Sequence, residues 1–127
     1  RIRKMRLRCI LNSKIHMATV TDCELHYEGS ITIDEEIINK VGMLPYEQVH
    51  VSNLNNGERF ITYLIPAKRG SKKVILNGPT ARKAMPGDRI IVFSYAWVEE
   101  NKIINHCPRV VFLDEKNEIF RELNTSE

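Results

Sequence analysis

Cysteine is scarce in this chain. Cys9, Cys23 and Cys107 are the three among 127 residues, 14 and 84 positions apart, and no CxxC pair occurs. An odd count at such spacing excludes a disulfide framework and a zinc ribbon. The histidines His16, His26, His50 and His106 are as scattered, and their spacing supports no ligand set for a metal. Aromatic residues make up 7% of the chain, too few for the row of exposed rings on which RNA and single-strand readers stack bases. Six glycines and five prolines rule out collagen-like and low-complexity sequence, and no uncharged run approaches the ~18 residues of a membrane span. No fixed-period repeat, Ser- or Pro-rich linker or shift of composition divides the chain, so 1–127 reads as a single domain.

Acid is missing from the first eight residues, where Arg1, Arg3, Lys4, Arg6 and Arg8 stand. The net charge is +3, so without those five the rest of the chain carries −2. A nucleic-acid reader spreads its cations over a face to neutralise many phosphates. Here the excess sits in one tip, which reads as a solvated, poorly ordered terminus, and nucleic acid is not an expected partner. The chain opens on Arg1, and Met5 is a candidate start. With free thiols and no apolar signal segment, the expected setting is a reducing cytoplasm, with no membrane partner.

What is present is a series of short strands. Residues 30–34 alternate as Ser-Ile-Thr-Ile-Asp, 47–52 set Val49 and Val51 on one face, and 58–65 are rich in Ile, Phe, Thr and Tyr. Asn55-Asn56-Gly57 between the last two tolerates positive φ and predicts a hairpin. Asp34 predicts the cap of a short helix over 35–41, with Glu35 and Glu36 facing its dipole and Gly42 just beyond. A second short helix is predicted over 79–85, and further strands over 89–98 and 108–114, before a turn at Lys116-Asn117 and a frayed tail. Strands outnumber helices, so the expected architecture is a small closed barrel or sandwich with helical inserts.

The segment richest in chemistry is His26-Tyr27-Glu28-Gly29-Ser30-Ile31-Thr32-Ile33-Asp34. Gly-Ser at the mouth of a strand is ordinarily a turn and nothing more. Glycine has no Cβ, however, so the Gly29 carbonyl can be held in a strained geometry and approached by the Ser30 hydroxyl. Attack there converts the peptide bond to an ester. Elimination then cuts the chain and leaves a dehydroalanine that hydrolyses to an N-terminal pyruvoyl group with loss of ammonia. The attack needs an oxyanion donor, worth about 3 to 4 kcal/mol, and Thr62 is a candidate.

Along nearly its whole length the chain resembles the bacterial pyruvoyl-dependent aspartate decarboxylase family. The matching residues are Ser13-Lys14-Ile15-His16, Leu25-His26-Tyr27-Glu28-Gly29-Ser30, Asn55-Asn56-Gly57-Glu58-Arg59-Phe60, Thr62-Tyr63, Arg69-Gly70, Asn77-Gly78 and Gly87-Asp88. Their order and spacing carry the resemblance, since no one of them is specific. It implies a mainly β fold, a small double-psi β-barrel with short helices. It also implies a homotetramer with sites between subunits, and a zymogen that cuts itself between Gly29 and Ser30 into chains 1–29 and 30–127. Cleavage is either spontaneous or assisted by a maturation factor. The covalent pyruvoyl group from Ser30 forms a Schiff base with L-aspartate and does the work of pyridoxal phosphate, giving β-alanine and CO2 for pantothenate synthesis.

By the same resemblance Arg59 clamps a substrate carboxylate, a two-pronged contact lysine cannot make. Tyr63 donates the proton, since a phenol with a pKa near 10 is protonated at neutral pH. Lys14 and His16 line the pocket from an adjacent subunit, Tyr27 reaches the cleavage site or the substrate, and Asn77-Gly78 contact both. Without the resemblance, Arg59 and Lys14 read as surface charges, Tyr63 and His16 as packed strand residues, and Asn77-Gly78 as a turn. Arg59 and Tyr63 share a strand face about 13 Å apart, so they serve opposite ends of a substrate or converge through long side chains; Thr62 points to the other face. The chain departs from the family at Met17, where arginine is usual, at Ser52, where some relatives have tryptophan, and at Pro79-Thr80, where alanines are usual. Pro79 removes a backbone donor and Ser52 is expected to loosen a pocket wall. The competing readings are a non-catalytic binding module using the basic tip, and an uncleaved structural barrel.

Overall fold

The structure is a computed structural model and describes residues 4–125. In chain order it has β1 (Leu7–Thr19), β2 (Asp22–Glu24), β3 (Ser30–Asp34), helix α1 (Glu35–Lys40), β4 (Gln48–Asn53), β5 (Arg59–Ala67) and β6 (Val74–Asn77). A 3-10 helix over Gly78–Lys83, β7 (Arg89–Glu99), a second 3-10 helix over Glu100–Asn105, β8 (Arg109–Leu113) and β9 (Ile119–Leu123) complete it.

The strands join in the order β2-β6-β3-β5-β4-β7-β1-β8-β9. The pairs β2/β6, β3/β5 and β1/β8 are parallel and the others antiparallel. Laid flat, β6 and β8 would stand about 29 Å apart, six spacings of ~4.8 Å. Yet Val74 and Leu76 of β6 share one buried cluster with Ile31, Ile33, Val49, Val51, Leu64, Ile90, Val92, Ile15 and Val111, the last from β8. The sheet is therefore rolled into a small barrel around a single aliphatic core. This is the expected mainly β barrel with short helices.

Local chemistry accounts for the elements. Val49 and Val51 are buried while Gln48, His50 and Ser52 face outward, the period of two that fixes register. Asp34 caps α1, its carboxylate accepting from the Glu36 N–H at 2.9 Å, and the same buried carboxylate accepts from the Gly70 and Lys72 N–H groups at 2.9 Å each. Three N–H donors offset the cost of burying that charge.

Three expectations are corrected. The tail does not fray after Lys116-Asn117; it returns as β9 along β8. Asn117 takes φ 61°, is buried, donates to the Thr19 and Lys72 carbonyls and accepts from the Thr19 N–H, which pins this turn to the barrel. The helix predicted over 79–85 is a 3-10 helix, ended by Ala84 in an extended conformation. The basic tip is partly built into the barrel. Leu7 and Arg8 belong to β1, and Arg8 donates to Glu100 at 2.8 Å; Arg1 and Arg3 lie outside the described residues.

Among the described residues no helix is long and apolar enough to cross a membrane. Nor do three or more His, Cys, Asp or Glu side chains gather as a metal site among them. His106 instead donates through Nε2 to the Leu11 carbonyl at 2.8 Å, and Cys9, Cys23 and Cys107 are free thiols.

Candidate active site

Ser30 opens β3 directly opposite Asn77 at the end of β6. Asn77 Nδ2 donates to Ser30 Oγ at 3.0 Å and to Thr32 Oγ1 at 2.9 Å, and Ser30 is only 2% exposed. Both amide protons of Asn77 are thereby committed, and Ser30 Oγ is held as an acceptor with its own proton free to leave toward another group. β3 runs parallel to β5 with Ile31 level with Leu64. Counting back, Ser30 is level with Tyr63 and Gly29 with Thr62. Ser30, Asn77, Thr32, Tyr63 and the loop residue Tyr27 line one cavity of about 880 Å3.

The glycine whose missing Cβ matters most is not Gly29 but Gly78, one strand away. Gly29 has no positive φ, and a Cβ there would meet only Pro79 Cδ at 3.6 Å. Gly78 has φ 68°, and a Cβ on it would stand 2.5 Å from the Tyr27 carbonyl oxygen, 2.8 Å from the Gly29 nitrogen and 3.0 Å from the Glu28 carbonyl carbon. The bare Gly78 backbone is what allows the segment bearing the Gly29–Ser30 bond to lie against the end of β6.

Alternation along β5 divides its residues between two faces. Phe60 and Leu64 pack toward the core, and Thr62, in step with them, does not line the cavity with Ser30. Thr62 is thus level with the Gly29–Ser30 bond but turned from the face that carries Tyr63. Arg59, Ile61 and Tyr63 share the outer face, with Ile61 56% exposed between the other two.

Arg59 belongs to a second cluster on the same outer surface. Its Nη1 donates to Ser52 Oγ at 2.8 Å and its Nη2 to Tyr95 Oη at 3.3 Å, and its guanidinium lies 5.0 Å from the Phe93 ring centre. Lys14 Nζ lies 5.8 Å from the centre of that ring, and His50 meets Tyr95 edge-on at 5.0 Å. Two cations against one aromatic ring make an electropositive surface suited to a carboxylate.

His16 joins neither cluster. It packs edge-on against Phe112 at 5.3 Å, and with Arg89, Met17 and Phe120 it lines a separate cavity of about 760 Å3. Burial first, then Lys14 and Arg89, holds its pKa below the ordinary 6.5. Its Nδ1 is buried without a partner among the described residues.

The structure therefore brings Ser30, Asn77, Tyr63 and Tyr27 together around the Gly29–Ser30 bond, with Gly78 beneath it. It groups Arg59 with Lys14 elsewhere on the surface, and leaves Thr62 and His16 outside both groups. Ser52, Phe93 and Tyr95 were not identified as partners of Arg59, although the pairing Ser52↔Arg59 follows once the hairpin register is known. Thr32 was equally legible, two residues from Ser30 and on its face.

The sequence profile described as aspartate decarboxylase matches residues 5–120. The chain is 52% identical over 112 residues to an aspartate 1-decarboxylase of Leptothrix cholodnii, spanning 88% of this chain and 86% of that one. It is 52% identical over 109 residues to an aspartate 1-decarboxylase of Leptospira biflexa, spanning 85% and 92%. For the aspartate 1-decarboxylase of a Geobacillus species the identity is 53% over 112 residues, spanning 88% of each. Among solved structures, the rationally designed protein mkDPBB_sym_86 aligns with a TM-score of 0.45 and 14% identity over 62% of this chain and 91% of its own, too distant to carry an argument.

Proposed function

The chain belongs to the aspartate decarboxylase family, and from that premise we propose that it converts L-aspartate to β-alanine and CO2 for pantothenate synthesis, after cutting itself between Gly29 and Ser30. The single observation that carries this reading is the buried Ser30 hydroxyl, held at 3.0 Å by Asn77 next to Gly29 in a cavity that also contains Tyr63. That site fits a pyruvoyl group. Residue 30 is shielded from solvent, its neighbour has no side chain to obstruct attack, and the cavity is large enough for a four-carbon diacid. The pyruvoyl group supplies an electron sink for the electrons left when a carboxylate departs.

The protein's own residues do the rest. Ser30 Oγ attacks the Gly29 carbonyl carbon while Asn77 orients the hydroxyl. Tyr63 hands a proton to the carbon that lost CO2 and recovers one from water. Arg59, fixed by Ser52, Tyr95 and Phe93, grips a substrate carboxylate, and Lys14 adds positive potential for the dianion. Tyr27 closes the loop side of the cavity.

Within one chain the Arg59 end of β5 is about 13 Å from Tyr63, four residues at ~3.3 Å. That separation supports a site shared between chains, in which the Arg59–Lys14 surface of one subunit completes the Ser30 cavity of its neighbour, and the homotetramer implied by the family resemblance would supply that neighbour. The free thiols suit a reducing cytoplasm.

Intact-mass measurement tests the reading. The expected products are fragments of 29 and 98 residues, the larger blocked at its N-terminus and reducible by borohydride, with aspartate consumed and β-alanine formed. Ser30→Ala should leave one uncut, inactive chain. A single 127-residue species that decarboxylates aspartate would overturn it.

A further inference from the structure

Thr80 stands in the 3-10 helix that follows β6, one residue past Pro79, and its hydroxyl reaches back to β3. Thr80 Oγ1 lies 3.3 Å from the Ser30 carbonyl oxygen and 2.8 Å from the Asn77 carbonyl oxygen. Asn77 spends its amide protons on Ser30 Oγ and Thr32 Oγ1. The two residues therefore address different atoms of the same serine: Asn77 the nucleophile, Thr80 the carbonyl. Pro79 has no N–H to offer there.

We propose that Thr80 is a catalytic residue of self-processing, stabilising the negative charge that collects on the residue 30 carbonyl oxygen during elimination. This rests on the reading that the Gly29–Ser30 bond is cut. The atoms define the step. Ser30 Oγ bonds to the Gly29 carbonyl carbon and the Gly29 C–N bond breaks, leaving residue 30 with a free amine and an ester at its Oγ. A base then takes the Cα proton of residue 30, and the electron pair spreads onto that residue's own carbonyl oxygen. Its return makes the Cα=Cβ double bond and expels the Gly29 carboxylate. One water enters and one ammonia leaves to give the keto group.

The charge in the middle of that sequence falls on the oxygen that Thr80 faces. The Thr80 hydroxyl has one proton and two acceptors, and as charge builds on the Ser30 oxygen it becomes the stronger one. Only a rotation about the Thr80 Cβ–Oγ bond is needed to give it the proton, so the donor is in place before the charge forms. A preorganised donor in a site sheltered from water is where such stabilisation is largest.

The test uses full-length chain made by cell-free synthesis as wild type, Thr80→Val and Thr80→Ser. Intact mass is followed over time, with and without brief treatment with neutral hydroxylamine, which cleaves an ester after residue 29; any cut at Asn56-Gly57 or Asn77-Gly78 gives fragments of different mass and is not counted. In Thr80→Val the blocked 98-residue fragment should form at least about tenfold more slowly, against the 10²–10³-fold worth of a short oxyanion donor. Meanwhile a hydroxylamine-sensitive 127-residue species should accumulate, and Thr80→Ser should restore the rate. Processing of Thr80→Val at the wild-type rate overturns the proposal. So does slow processing in which the uncut chain resists hydroxylamine, because the side chain would then act before the ester or only by its bulk. If Thr80→Val fails to fold by circular dichroism, Thr80→Ala is read by the same criteria. Wild-type chain that never yields fragments removes the cleavage reading itself, an outcome distinct from a variant matching a wild type that does cleave.

Discussion

Gly78→Ala isolates what the backbone at the end of β6 contributes to the site. Placing a side chain at φ 68° costs about 1–2 kcal/mol in the left-handed region. The added Cβ would also stand 2.5, 2.8 and 3.0 Å from three backbone atoms of residues 27–29. None of these is the end of a flexible side chain, so the segment must move by about 0.5–1 Å, at an overpacking cost of about 1–3 kcal/mol. Gly57→Ala is the control. Its φ is 74°, and nothing lies within 4 Å of its Cβ position, so it carries the conformational cost alone. Calorimetry should find Gly78→Ala less stable than Gly57→Ala by about 1–3 kcal/mol, or about 4–12 °C in Tm for a chain of this size. A displacement of that order beside the scissile bond should slow cleavage about 100-fold, read by intact mass. Equal Tm values for the two variants, or wild-type cleavage in Gly78→Ala, would refute the assignment of Gly78 as the support of the cleavage loop.

Tyr63→Phe should cut itself normally but lose about 10²–10⁴-fold in kcat, the worth of a positioned proton donor; an unchanged kcat would move that role to another group. Ser52→Ala removes the 2.8 Å acceptor from Arg59 but leaves the Phe93 face, so KM for aspartate should rise about fivefold, matching about 1 kcal/mol for an exposed charged hydrogen bond, with kcat little changed. His16 has a lowered pKa, so the fold favours its neutral form. Its stabilising contribution is complete above pH 6.5 and is lost as pH falls toward the folded value. The Tm difference between wild type and His16→Phe, followed from pH 8 to 5, should therefore shift against the wild type on acidification, and a flat difference would show that folding does not lower the His16 pKa.

The strand pattern was legible where one face is buried. Ser-Ile-Thr-Ile-Asp became β3 at its expected limits, and Asn55-Asn56-Gly57 became the β4–β5 turn, because period-two burial and positive φ are local demands. β9 was not legible. What orders it is the Asn117 side chain bonding to Thr19 and Lys72, 98 and 45 residues away, and no local rule reports such contacts. The site followed the same division. Ser30, Asn77 and Tyr63 meet because the β3/β5 and β3/β6 registers align them, whereas the resemblance supplied their identity without their distances. That Gly78, more than Gly29, has no room for a Cβ was not legible, because only the tertiary pairing reveals whose Cβ would collide.

The departures from the family pattern bear on how tolerant such a site is. Ser52 was expected to loosen a pocket wall, yet its hydroxyl accepts from Arg59 at 2.8 Å and so fixes the clamp by hydrogen bonding. Pro79 occupies the start of a 3-10 helix, where an N–H has no intrahelical partner to lose, and its ring lies against Gly29. Met17 takes φ 65° where β1 slips register between Ile15 and Ala18, and its carbonyl accepts from Arg89 Nε at 3.1 Å and Nη2 at 2.8 Å. In each case the position makes a polar contact or holds a defined backbone shape, although its side chain is not the one the family resemblance leads one to expect. A site held by backbone register can exchange the residues around its reactive serine, provided each replacement meets the hydrogen bond or φ value that its place in the barrel imposes. In the proposed reaction Ser30, Gly78 and Arg59 have no such latitude: it requires a hydroxyl, the absence of a Cβ and a two-pronged cation at these places.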